Sequence, residues 1–413
     1  MTIFEMAENA RKASYKLAGI SLEIRNRALE NIYSALTEHK EEILENNRKD
    51  IIRAEKEGLS EVMVKRLRVD EKVFAYMLKR FKETIEIPDP LGVITLRQVN
   101  EDGMEVYRKS VPLGVIAMIY EARPNVSTDA VSVCIKSGNA LILRGGKEAI
   151  NTNICLCDIM MKAAFEAGMP KGFLDIVRDT DHRTVSDMLK LNDYIDVIIP
   201  RGGKSLIRKI SEESRIPVIK HYDGICHQYV SVCNDYGKAT DIILNSKLQK
   251  VEVCNALETL LIDEKIADTY GKEICKALEE KGVRLLGCEK IRKIYPMEPA
   301  TEEDYSTEYL SYTLSIKVVD GVREAIDHIN RYGSHHTDGI ITDDGEQTDL
   351  FLKEVDSANV FSNASTRLSG GGEYGMGSVV GISTDKLHAR GPVGPNELTS
   401  YKWIGVGCGN LRS

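Results

Sequence analysis

Several features that mark membrane proteins, secreted proteins and metal-stabilised domains are missing from this chain. The longest apolar runs are short, such as residues 111–120, and none approaches the roughly 18 residues that a membrane-spanning helix needs. The nine cysteines are odd in number and include no Cys-x-x-Cys, which argues against a disulfide framework and against structural zinc. Residues 1–8 carry acidic side chains where a secretory signal would carry basic ones. The sequence therefore predicts a cytoplasmic protein without a membrane segment.

A strong excess of positive charge is also lacking. Apolar residues make up 42% of the chain and charged residues 29%, which is typical of a soluble globular protein. The net charge of −8 argues against a general binding surface for nucleic acids. The length of 413 residues is too great for one ordinary hydrophobic core, so two or three domains are expected.

The pattern of apolar residues predicts an α/β protein. Residues 4–85 have helical periodicity, and residues 94–110 alternate as a two-stranded ribbon. From residue 112 the pattern is strand, loop and helix, repeated, which indicates a parallel sheet covered by helices on both faces. The strands predicted in this region are residues 114–120, 139–143, 174–177, 196–199 and 217–220, and the helices between them are residues 128–137, 148–167, 183–190 and 205–214.

A second α/β segment begins near Asp223. Beyond residue 356 the chain is rich in glycine and serine, and residues 399–406 predict a late strand. An isolated two-stranded ribbon is only marginally stable in water, so the ribbon and the tail are both expected to pair elsewhere, for the ribbon with another subunit. The elements predicted between these points are strands 258–263, 315–319 and 339–342 and helices 266–280 and 322–331.

The sequence Arg-Gly-Gly-Lys occurs twice, at residues 144–147 and 201–204, each time between a predicted strand and a predicted helix. Ligands of open α/β sheets bind at such strand ends. Glycine admits a phosphate to the backbone, a helix N-terminus supplies amide donors, and Arg and Lys add positive charge. The two loops and the following Ser205 therefore predict a phosphorylated cofactor, NADPH in preference to NADH. The alternative is two surface turns with basic residues.

Two stricter phosphate-binding motifs are absent from this region. No Gly-x-Gly-x-x-Gly lies within the strand–helix repeat of residues 112–222, so the standard Rossmann fingerprint is missing there. Gly203-Lys204-Ser205 resembles the end of a P-loop, but Ile198 stands where that motif needs a glycine. An ATP-dependent transferase is therefore disfavoured.

Cys254 is the candidate nucleophile. It follows a polar, basic stretch, residues 245–250, and precedes the predicted buried strand 258–263. A thiol at such a junction meets solvent and positive charge, and both favour the nucleophilic thiolate. The alternative is a small buried hydrophobic residue, as is expected of the other eight cysteines.

Long blocks of the sequence are similar to one family of enzymes. The blocks are Val111–Ile116, Tyr120–Val126, Cys254–Leu261, Tyr332–Asp338, Asn363–Arg367 and Lys386–Pro392. With these blocks, and from about residue 5 to the end, the chain resembles the γ-glutamyl phosphate reductase (glutamate-5-semialdehyde dehydrogenase) family of the aldehyde dehydrogenase superfamily. The resemblance implies a Rossmann-like NADP-binding domain (residues 1–93 and 112–222), a catalytic α/β domain (223–365) and a small β oligomerisation element (94–111 and 366–413).

The resemblance also implies a reaction. The family reduces L-glutamyl 5-phosphate with NADPH to L-glutamate 5-semialdehyde and phosphate, the second step of proline biosynthesis from glutamate. Cys254 would form a thioester with the substrate, and hydride transfer would then give a thiohemiacetal that collapses to the aldehyde. The oxyanion would be held by the backbone N–H of Cys254 and, as a weaker candidate, the side-chain amide of Asn125 or Asn255. The implied partners are copies of the same chain, in a dimer or tetramer, and glutamate 5-kinase in transient contact.

Three further site predictions each have a structural alternative. Glu308 matches the superfamily glutamate that holds the nicotinamide ribose, although it also fits a solvated acid in an acidic loop. The loop matching the substrate anchor is either a binding loop or a mobile surface loop, and its candidate residues are Asn363, Ser365 and Arg367. Adjacent residues of an extended segment face opposite ways, and no ligand cluster of metal spacing accompanies His335-His336, so no metal site is predicted there.

One departure from the wider superfamily bears on the reaction. Ordinary aldehyde dehydrogenases carry a glutamate after the fifth strand of the cofactor domain, and this glutamate activates the water that hydrolyses the thioester. Here the corresponding run is residues 219–224, with His221 in that position. An enzyme that uses phosphate has no need of an activated water, so the substitution favours the phosphate-linked reaction. The alternatives are a CoA-linked or hydrolytic aldehyde dehydrogenase and a non-enzymatic protein that retains the fold.

Overall fold

The computed structural model describes residues 1–412, with all side chains except those at positions 62 and 182. The chain forms two compact units. Unit 1 comprises residues 1–220 and 374–381 and the chain from Pro392 onward, and unit 2 comprises residues 221–373 and 382–391. The predicted boundary between cofactor and catalytic domains, after residue 222, lies two residues from this division. The predicted functions of the domains stay predictions.

Helices and strands alternate along most of the chain. The helices are α1 (Ile3–Leu17), α2 (Leu22–Glu38), α3 (Lys40–Lys56), α4 (Glu61–Leu67), α5 (Glu71–Glu86), α6 (Asn125–Lys136), α7 (Ile150–Glu166), α8 (His182–Met188), α9 (Lys204–Glu213), α10 (Tyr236–Leu248), α11 (Glu264–Ile266), α12 (Lys272–Glu280), α13 (Glu289–Ile294), α14 (Gly321–Tyr332) and α15 (Gly345–Glu354). The strands are β1 (Ile94–Val99), β2 (Glu105–Pro112), β3 (Val115–Tyr120), β4 (Ala140–Gly145), β5 (Leu174–Ile176), β6 (Val197–Arg201), β7 (Cys226–Val230), β8 (Leu257–Asp263), β9 (Arg284–Gly287), β10 (Glu298–Pro299), β11 (Thr313–Val319), β12 (Thr337–Ile341), β13 (Asn359–Ser362), β14 (Ile382–Ser383), β15 (Gly391–Pro392) and β16 (Thr399–Val406). None of the helices in residues 1–412 is long and apolar enough to cross a bilayer.

The N-terminal helices begin at side chains that satisfy their first amides. Thr2 and Glu5 form a reciprocal capping box at the start of α1. Ser21, Ser60 and Asp70 accept hydrogen bonds from amides in the first turns of α2, α4 and α5. Such caps fix where each helix starts, because the first amides of a helix have no partner within it. The prediction of helix over residues 4–85 is confirmed.

Unit 1 is built on a four-stranded parallel sheet with the order β5-β4-β3-β6. Strands β3 and β4 are buried along their whole length, as expected of central parallel strands covered on both faces. The predicted fifth strand, residues 217–220, is wrong. Val218 forms only an isolated bridge with Ile198, because the preceding Pro217 has no amide hydrogen to extend the ladder.

The ribbon and the C-terminal tail pair with each other in the same chain. Strand β2 lies between β1 and β16 and is antiparallel to both, so the three form a separate sheet in unit 1. The expectation that the ribbon packs on another element is met by residues 399–406 of the same chain, which supply its third strand, and its contact with another subunit stays a prediction. Two short strands, β14 and β15, lie where the chain passes between the units.

Unit 2 contains a seven-stranded parallel sheet with the order β10-β9-β11-β8-β7-β12-β13. Strand β8 is central, and its alternate residues face two different cores. Leu260 and Ile262 pack into a cluster with α10 and α12, whereas Leu261 packs into a cluster with α14 and α15. A continuous apolar run can therefore be a strand, because both of its faces are covered.

Several elements of unit 2 were not predicted from the sequence. Strand β7 and helix α10 precede Cys254, and strands β9 and β13 complete the sheet. Strand β7 contains two fully buried polar residues, His227 and Gln228, so it lacks the continuous apolar run that predicts a buried strand. The predicted helix 266–280 is three segments in the structure, α11, a π-helical turn over residues 267–271, and α12.

Candidate active site

Cys254 lies on a tight turn, residues 251–256, that leads directly into β8. The turn is closed by a 3.0 Å hydrogen bond from the amide of Ala256 to the carbonyl of Val253. The thiol is partly buried. The turn precedes the amino end of β8, which lies between β11 and β7 in the sheet, so Cys254 is joined directly to an inner strand of unit 2. The predicted junction is confirmed, although residues 245–248 of the basic stretch belong to helix α10.

Arg367 is a cation that interacts with Cys254, whereas Lys247 of the basic stretch is paired in the interior. Lys247 is fully buried, and its ammonium donates to a carboxylate oxygen of Glu258 at 2.7 Å. The guanidinium of Arg367 interacts electrostatically with Cys254, although burial has the larger effect and lowers the pKa of Arg367. Arg367 is held in place by the side chains of Gln249 and Asn255. A cation so placed favours the thiolate form of the nearby cysteine.

The carbonyl of Cys254 is packed from two sides. The thiol of Cys226 donates to it at 3.2 Å, and burial raises the pKa of Cys226 well above its ordinary value, which keeps that group a thiol. On the other side lies Gly224, where a β-carbon would stand 1.8 Å from the same carbonyl oxygen. The amide of Gly224 donates to Glu308 at 2.8 Å. Glu308, predicted as a ribose ligand, is therefore part of the structure around Cys254.

Two histidines from distant segments lie beside Cys254. One donor atom each from His221, Cys254 and His336 lies within 4.8 Å of the other two. The imidazole rings of His221 and His336 are perpendicular neighbours, with centroids 5.4 Å apart. His336 is fully buried, whereas His221 is partly exposed. His335 and His336 both precede strand β12, and the Nδ1 atom of His335 lies by the carbonyl of Asp356 instead.

Hydrogen bonds fix the tautomer of both imidazole rings. The Nδ1 atom of His221 lies 2.8 Å from the carbonyl oxygen of Ile382, which can only accept, so Nδ1 carries the hydrogen. The Nδ1 atom of His336 lies 2.8 Å from the hydroxyl of Thr337. That hydroxyl donates to Ser369, which donates in turn to a backbone carbonyl, so Nδ1 of His336 must also donate. In neutral rings both Nε2 atoms therefore carry a lone pair.

The predicted substrate loop has mixed roles in the structure. Both ends of the Asn363 amide bond to the backbone of Thr342, at 3.0 and 2.9 Å, and Asn363 itself has a positive φ of 53°. The hydroxyl of Ser365 caps the turn at Arg367. Of these three residues, Arg367 interacts electrostatically with Cys254. The side-chain amide of Asn255 donates to the carbonyl of Ser369 and accepts from Arg367, and its predicted role as an oxyanion donor stays a prediction.

A cavity of about 440 Å³ lies in unit 1 at the carboxyl ends of β3 and β4. Its wall includes four predicted cofactor residues, Arg144, Gly146, Lys147 and Ser205. The Nε atom of Arg144 is buried and has no hydrogen-bond partner among the described residues, so the wall carries a donor in need of an acceptor. An anionic group such as the phosphate of a dinucleotide fits this donor.

In each Arg-Gly-Gly-Lys loop, a glycine predicted to admit a phosphate lies beside a carboxylate of the same chain. A β-carbon at Gly146 would stand 2.1 Å from the carboxylate of Glu148, and one at Gly202 would stand 2.5 Å from that of Glu121. These glycines therefore make room for side chains of the same chain. Glu121 also accepts from the amide of Gly203 at 2.9 Å. The start of α7 is capped by another carboxylate, that of Asp50.

The remaining predicted cofactor residues do not line this cavity. Arg144 and Gly145 end strand β4 and Arg201 ends β6, so the loops are shorter than predicted. The Arg201 side chain lies by Gly381 and interacts with Asp129. The positions without a place in the cavity wall are Gly145, Arg201, Gly202, Gly203 and Lys204. A Gly-x-Gly-x-x-Gly spacing does occur at Gly370, Gly372 and Gly375, but it falls in turns and not between a strand and a helix.

Asn125, predicted to help hold the oxyanion, is the first residue of α6 in unit 1. Its side-chain amide donates to Asp129 at 3.3 Å. Burial raises the pKa of Asp129 to about 6, while Ser378 and Arg80 act in the opposite direction. The residue three positions earlier, Ala122, has a positive φ of 30°, which marks a strained turn between β3 and α6. The catalytic role of Asn125 stays a prediction.

Sequence reasoning missed His336, Cys226 and Gly224 as parts of the site. His336 lies in the similar block Tyr332–Asp338, and Gly224 ends the run 219–224 that was considered for His221, but neither residue was given a role. Nothing in a single sequence shows that a strand end near residue 336 meets a turn near residue 254. That meeting depends on the order of strands in the sheet.

Comparison with known proteins identifies the family to which this chain belongs. A family model described as "Aldehyde dehydrogenase family" matches residues 2–284, more than half of the chain. The chain therefore belongs to the aldehyde dehydrogenase family. An acetylating aldehyde dehydrogenase from Geobacillus thermoglucosidasius, 17% identical, has the same fold, with a TM-score of 0.72 over 100% of this chain and 97% of that one.

Within that family the chain is most similar to proteins of one name. Gamma-glutamyl phosphate reductase of Caldanaerobacter subterraneus subsp. tengcongensis is 45% identical over 413 residues, with 100% of both chains covered. That of Thermodesulfovibrio yellowstonii is 44% identical over 99% of this chain and 98% of its own. The crystal structure of gamma-glutamyl phosphate reductase from Thermotoga maritima matches with a TM-score of 0.96, at 39% identity and 100% coverage of both. The resemblance seen in the sequence, and the α/β fold expected from it, are confirmed.

Proposed function

We propose that this protein reduces L-glutamyl 5-phosphate with NADPH to L-glutamate 5-semialdehyde and phosphate, the second step of proline biosynthesis from glutamate. The full-length similarity to gamma-glutamyl phosphate reductases supports this substrate and reaction. The observation that carries the proposal is the setting of Cys254, with Arg367 facing it and two imidazoles beside it. A thiolate in such a setting is a nucleophile suited to acyl transfer.

The chain's own residues account for the covalent steps. The sulfur of Cys254 bonds to the acyl carbon, the bond from that carbon to the phosphate oxygen breaks, and phosphate leaves a thioester on Cys254. His221 and His336 each have a ring nitrogen within 4.8 Å of the sulfur, and their Nε2 lone pairs can take its proton. The backbone N–H of Cys254 and the side chain of Asn125 are the proposed oxyanion donors. After reduction, the carbon–sulfur bond breaks, which frees the aldehyde and restores the thiolate.

The proposed cofactor is NADP(H), which supplies the hydride for the thioester carbonyl when it is bound. Its phosphates suit the cavity of unit 1, where the buried Nε atom of Arg144 needs an acceptor. Lys147 and Ser205 in the same wall add a charge and a hydroxyl. Glu308 is the proposed ribose ligand. Its hydrogen bond with Gly224 holds it in place for that role.

The predicted substrate anchor narrows to one residue. Arg367 carries a guanidinium that suits a carboxylate or a phosphate, and it already faces Cys254. We assign Asn363 and Ser365 the part of shaping the loop, since their side chains bond to Thr342 and within the turn. The loop then presents Arg367 to the substrate.

Phosphate dependence tests the reaction and separates it from the alternative, a CoA-linked or hydrolytic aldehyde dehydrogenase. Here His221 donates its Nδ1 hydrogen to Ile382 and stands where hydrolytic relatives carry a glutamate. Purified protein should oxidise L-glutamate 5-semialdehyde with NADP⁺ when inorganic phosphate is present, and not with CoA or buffer alone. Comparable turnover in phosphate-free buffer would defeat the proposal.

The proposed assembly is a homo-oligomer, a dimer or tetramer, formed through the sheet of β1, β2 and β16. Tyr401 and Trp403 lie two residues apart on the same face of β16, and more than half of each side chain is exposed. Exposed aromatic residues of this kind often mark subunit contacts. The proposed setting is the cytoplasm, with the substrate delivered by glutamate 5-kinase in transient contact.

A further inference from the structure

The three donor atoms around the nucleophile form a set that Zn²⁺ prefers. His221, Cys254 and His336 come from three segments of unit 2, and one donor atom of each lies within 4.8 Å of the other two. Imidazole nitrogen and cysteine thiolate are the commonest zinc ligands in proteins. We propose that these three residues form a zinc-binding site, and that Zn²⁺ bound there reversibly blocks the enzyme. The inhibitory part rests on the proposed function, because it takes Cys254 as the nucleophile.

The hydrogen bonds of the two histidines match those of zinc ligands. A histidine that binds zinc almost always donates its other ring N–H to a carbonyl, carboxylate, hydroxyl or water, which orients the ring. His221 does so to the carbonyl of Ile382, and His336 does so to the hydroxyl of Thr337. Both Nε2 atoms therefore carry lone pairs. The outer hydrogen bonds of the site are already in place without the ion.

The distances leave a small adjustment to make. Ligand atoms of a tetrahedral zinc site lie roughly 3.3–3.7 Å apart, which follows from zinc–nitrogen bonds of about 2.0 Å and zinc–sulfur bonds of about 2.3 Å. The present limit of 4.8 Å requires the three atoms to close by at most about 1.5 Å. A change of χ1 rotamer at the partly buried Cys254 moves its sulfur and supplies part of this shift, since staggered rotamers lie about 120° apart.

The surroundings set the character of the site. Arg367 faces Cys254 and opposes a second cation there, which favours a labile ion over a permanent one. Cys226 lies 3.9 Å from Nδ1 of His336, but its hydrogen is given to the carbonyl of Cys254. The proposed ligand set therefore does not include Cys226. Three protein ligands leave a fourth position for water, as in catalytic and inhibitory zinc sites.

Binding and release of Zn²⁺ involve no change of oxidation state. The thiol of Cys254 releases one proton, the sulfur bonds to Zn²⁺, and the two neutral imidazoles bond through nitrogen. A chelator that removes the ion restores the thiol with one proton from water. The sulfur cannot attack an acyl carbon while its electron pair is bound to the metal.

Cobalt(II) replaces zinc in such sites and reports its ligands by its absorption spectrum. Chelator-treated protein is titrated with Co²⁺ in the absence of substrate and cofactor. We expect visible bands of four-coordinate cobalt, a near-ultraviolet thiolate-to-cobalt band, and displacement of both by one equivalent of Zn²⁺. His221→Gln and His336→Gln should each weaken Co²⁺ binding by at least about tenfold. Loss of an outer-sphere partner alone weakens metal binding by about tenfold to a hundredfold. Cys254→Ser should abolish the thiolate band.

The matched control is His335→Asn. His335 is the sequence neighbour of His336 but bonds to the carbonyl of Asp356, and asparagine tolerates its positive φ of 60°. This variant should bind Co²⁺ like the wild type. Circular dichroism checks the fold of each variant. If the buried His336 cannot be replaced without unfolding, the partly exposed His221 still decides the matter.

Two results would overturn the site. One is Co²⁺ binding that is unchanged in folded His221→Gln. The other is a wild-type cobalt spectrum without a thiolate band. Zn²⁺ inhibition of equal strength in wild type and His221→Gln would show capture by the thiol alone and would also overturn it. Because the spectra need no turnover, a failure of the proposed reductase activity would leave this test intact.

Discussion

The backbone of Gly224 lies against the carbonyl of Cys254, so closely that a β-carbon on residue 224 would stand 1.8 Å from the carbonyl oxygen. It would also stand 2.4 Å from the carbonyl carbon and Cα of Cys254. These are backbone atoms, which cannot turn aside as a flexible side chain can. The position of the nucleophile is therefore set by the absence of a side chain thirty residues earlier in the sequence.

Gly224→Ala should displace the turn that carries Cys254. We expect a loss of stability of about 1–3 kcal/mol from overpacking. We also expect kcat/KM to fall by roughly a hundredfold, because a shift of about 1 Å in a reacting group has that effect. Thermal unfolding and steady-state kinetics measure the two. Gly345→Ala, where no atom lies within 4 Å of the added carbon, is the control and should change stability by less than about 0.5 kcal/mol. Equal effects in both variants would refute the packing argument.

Cys254→Ala should remove reductase activity by roughly three orders of magnitude or more, since the covalent step needs the sulfur. NADPH binding, measured by fluorescence, should be retained because the cavity of unit 1 does not contain Cys254. Intact-mass measurement of wild type with acyl phosphate and no reductant should show one added glutamyl group. Cys226→Ala, which removes a buried thiol with a raised pKa, should keep that adduct. An adduct on Cys254→Ala would place the nucleophile elsewhere.

Glu121→Gln should strengthen NADPH binding. Glu121 lines the cavity and accepts from the amide of Gly203, and glutamine keeps that hydrogen bond while it removes a negative charge near the phosphates. A charge pair near the surface contributes about 0.2–1 kcal/mol, so the dissociation constant should fall by roughly twofold to fivefold. The exposed Glu8→Gln on α1 is the control and should bind as wild type does. Weaker binding by Glu121→Gln would show that the carboxylate itself holds the cofactor.

Asp129→Asn should raise stability at neutral pH. The folded-state pKa of Asp129, about 6, lies above its ordinary value of 3.8, so folding holds the proton more tightly. Stability should therefore fall as pH rises from about 4 to about 6 and stay level above that range. The full pKa difference corresponds to ~3 kcal/mol. We expect about 1–2 kcal/mol, since the side chain keeps some contact with solvent.

Thermal unfolding across pH 4–8 measures this contribution. The variant should have a higher Tm than wild type at pH 7.5 and a smaller slope between pH 4 and 6. The exposed Asp193→Asn is the matched control and should keep the wild-type profile. A lower Tm for Asp129→Asn at pH 7.5 would show that the carboxylate stabilises the fold through Ser378 and Asn125 instead.

Local patterns predicted much of the fold. The N-terminal helices, the ribbon and most strands of unit 1 follow from periodicity and caps, because these depend on residues close in sequence. Prediction failed where local rules give way to burial. Strand β7 carries a buried histidine and a buried glutamine. Pro217 lacks the amide hydrogen that would extend a further strand beside β6.

The candidate site divides in the same way. Cys254 was recognisable from its own surroundings, but its neighbours were not. Lys247 belongs to the basic stretch that was expected to place positive charge near Cys254, but it is paired with Glu258 in the interior. Arg367, more than a hundred residues away in sequence, is the cation that faces the sulfur.

By itself, the sequence determined the family, the α/β class and the nucleophile, since each depends on contiguous blocks of residues. Only the tertiary structure decided which groups surround that nucleophile. His221, Gly224 and His336 meet Cys254 because they precede the amino ends of β7 and β12, which neighbour β8 in the parallel sheet, and Arg367 reaches the same site on the loop after β13. Strand order depends on long-range packing, and no stretch of neighbouring residues records it.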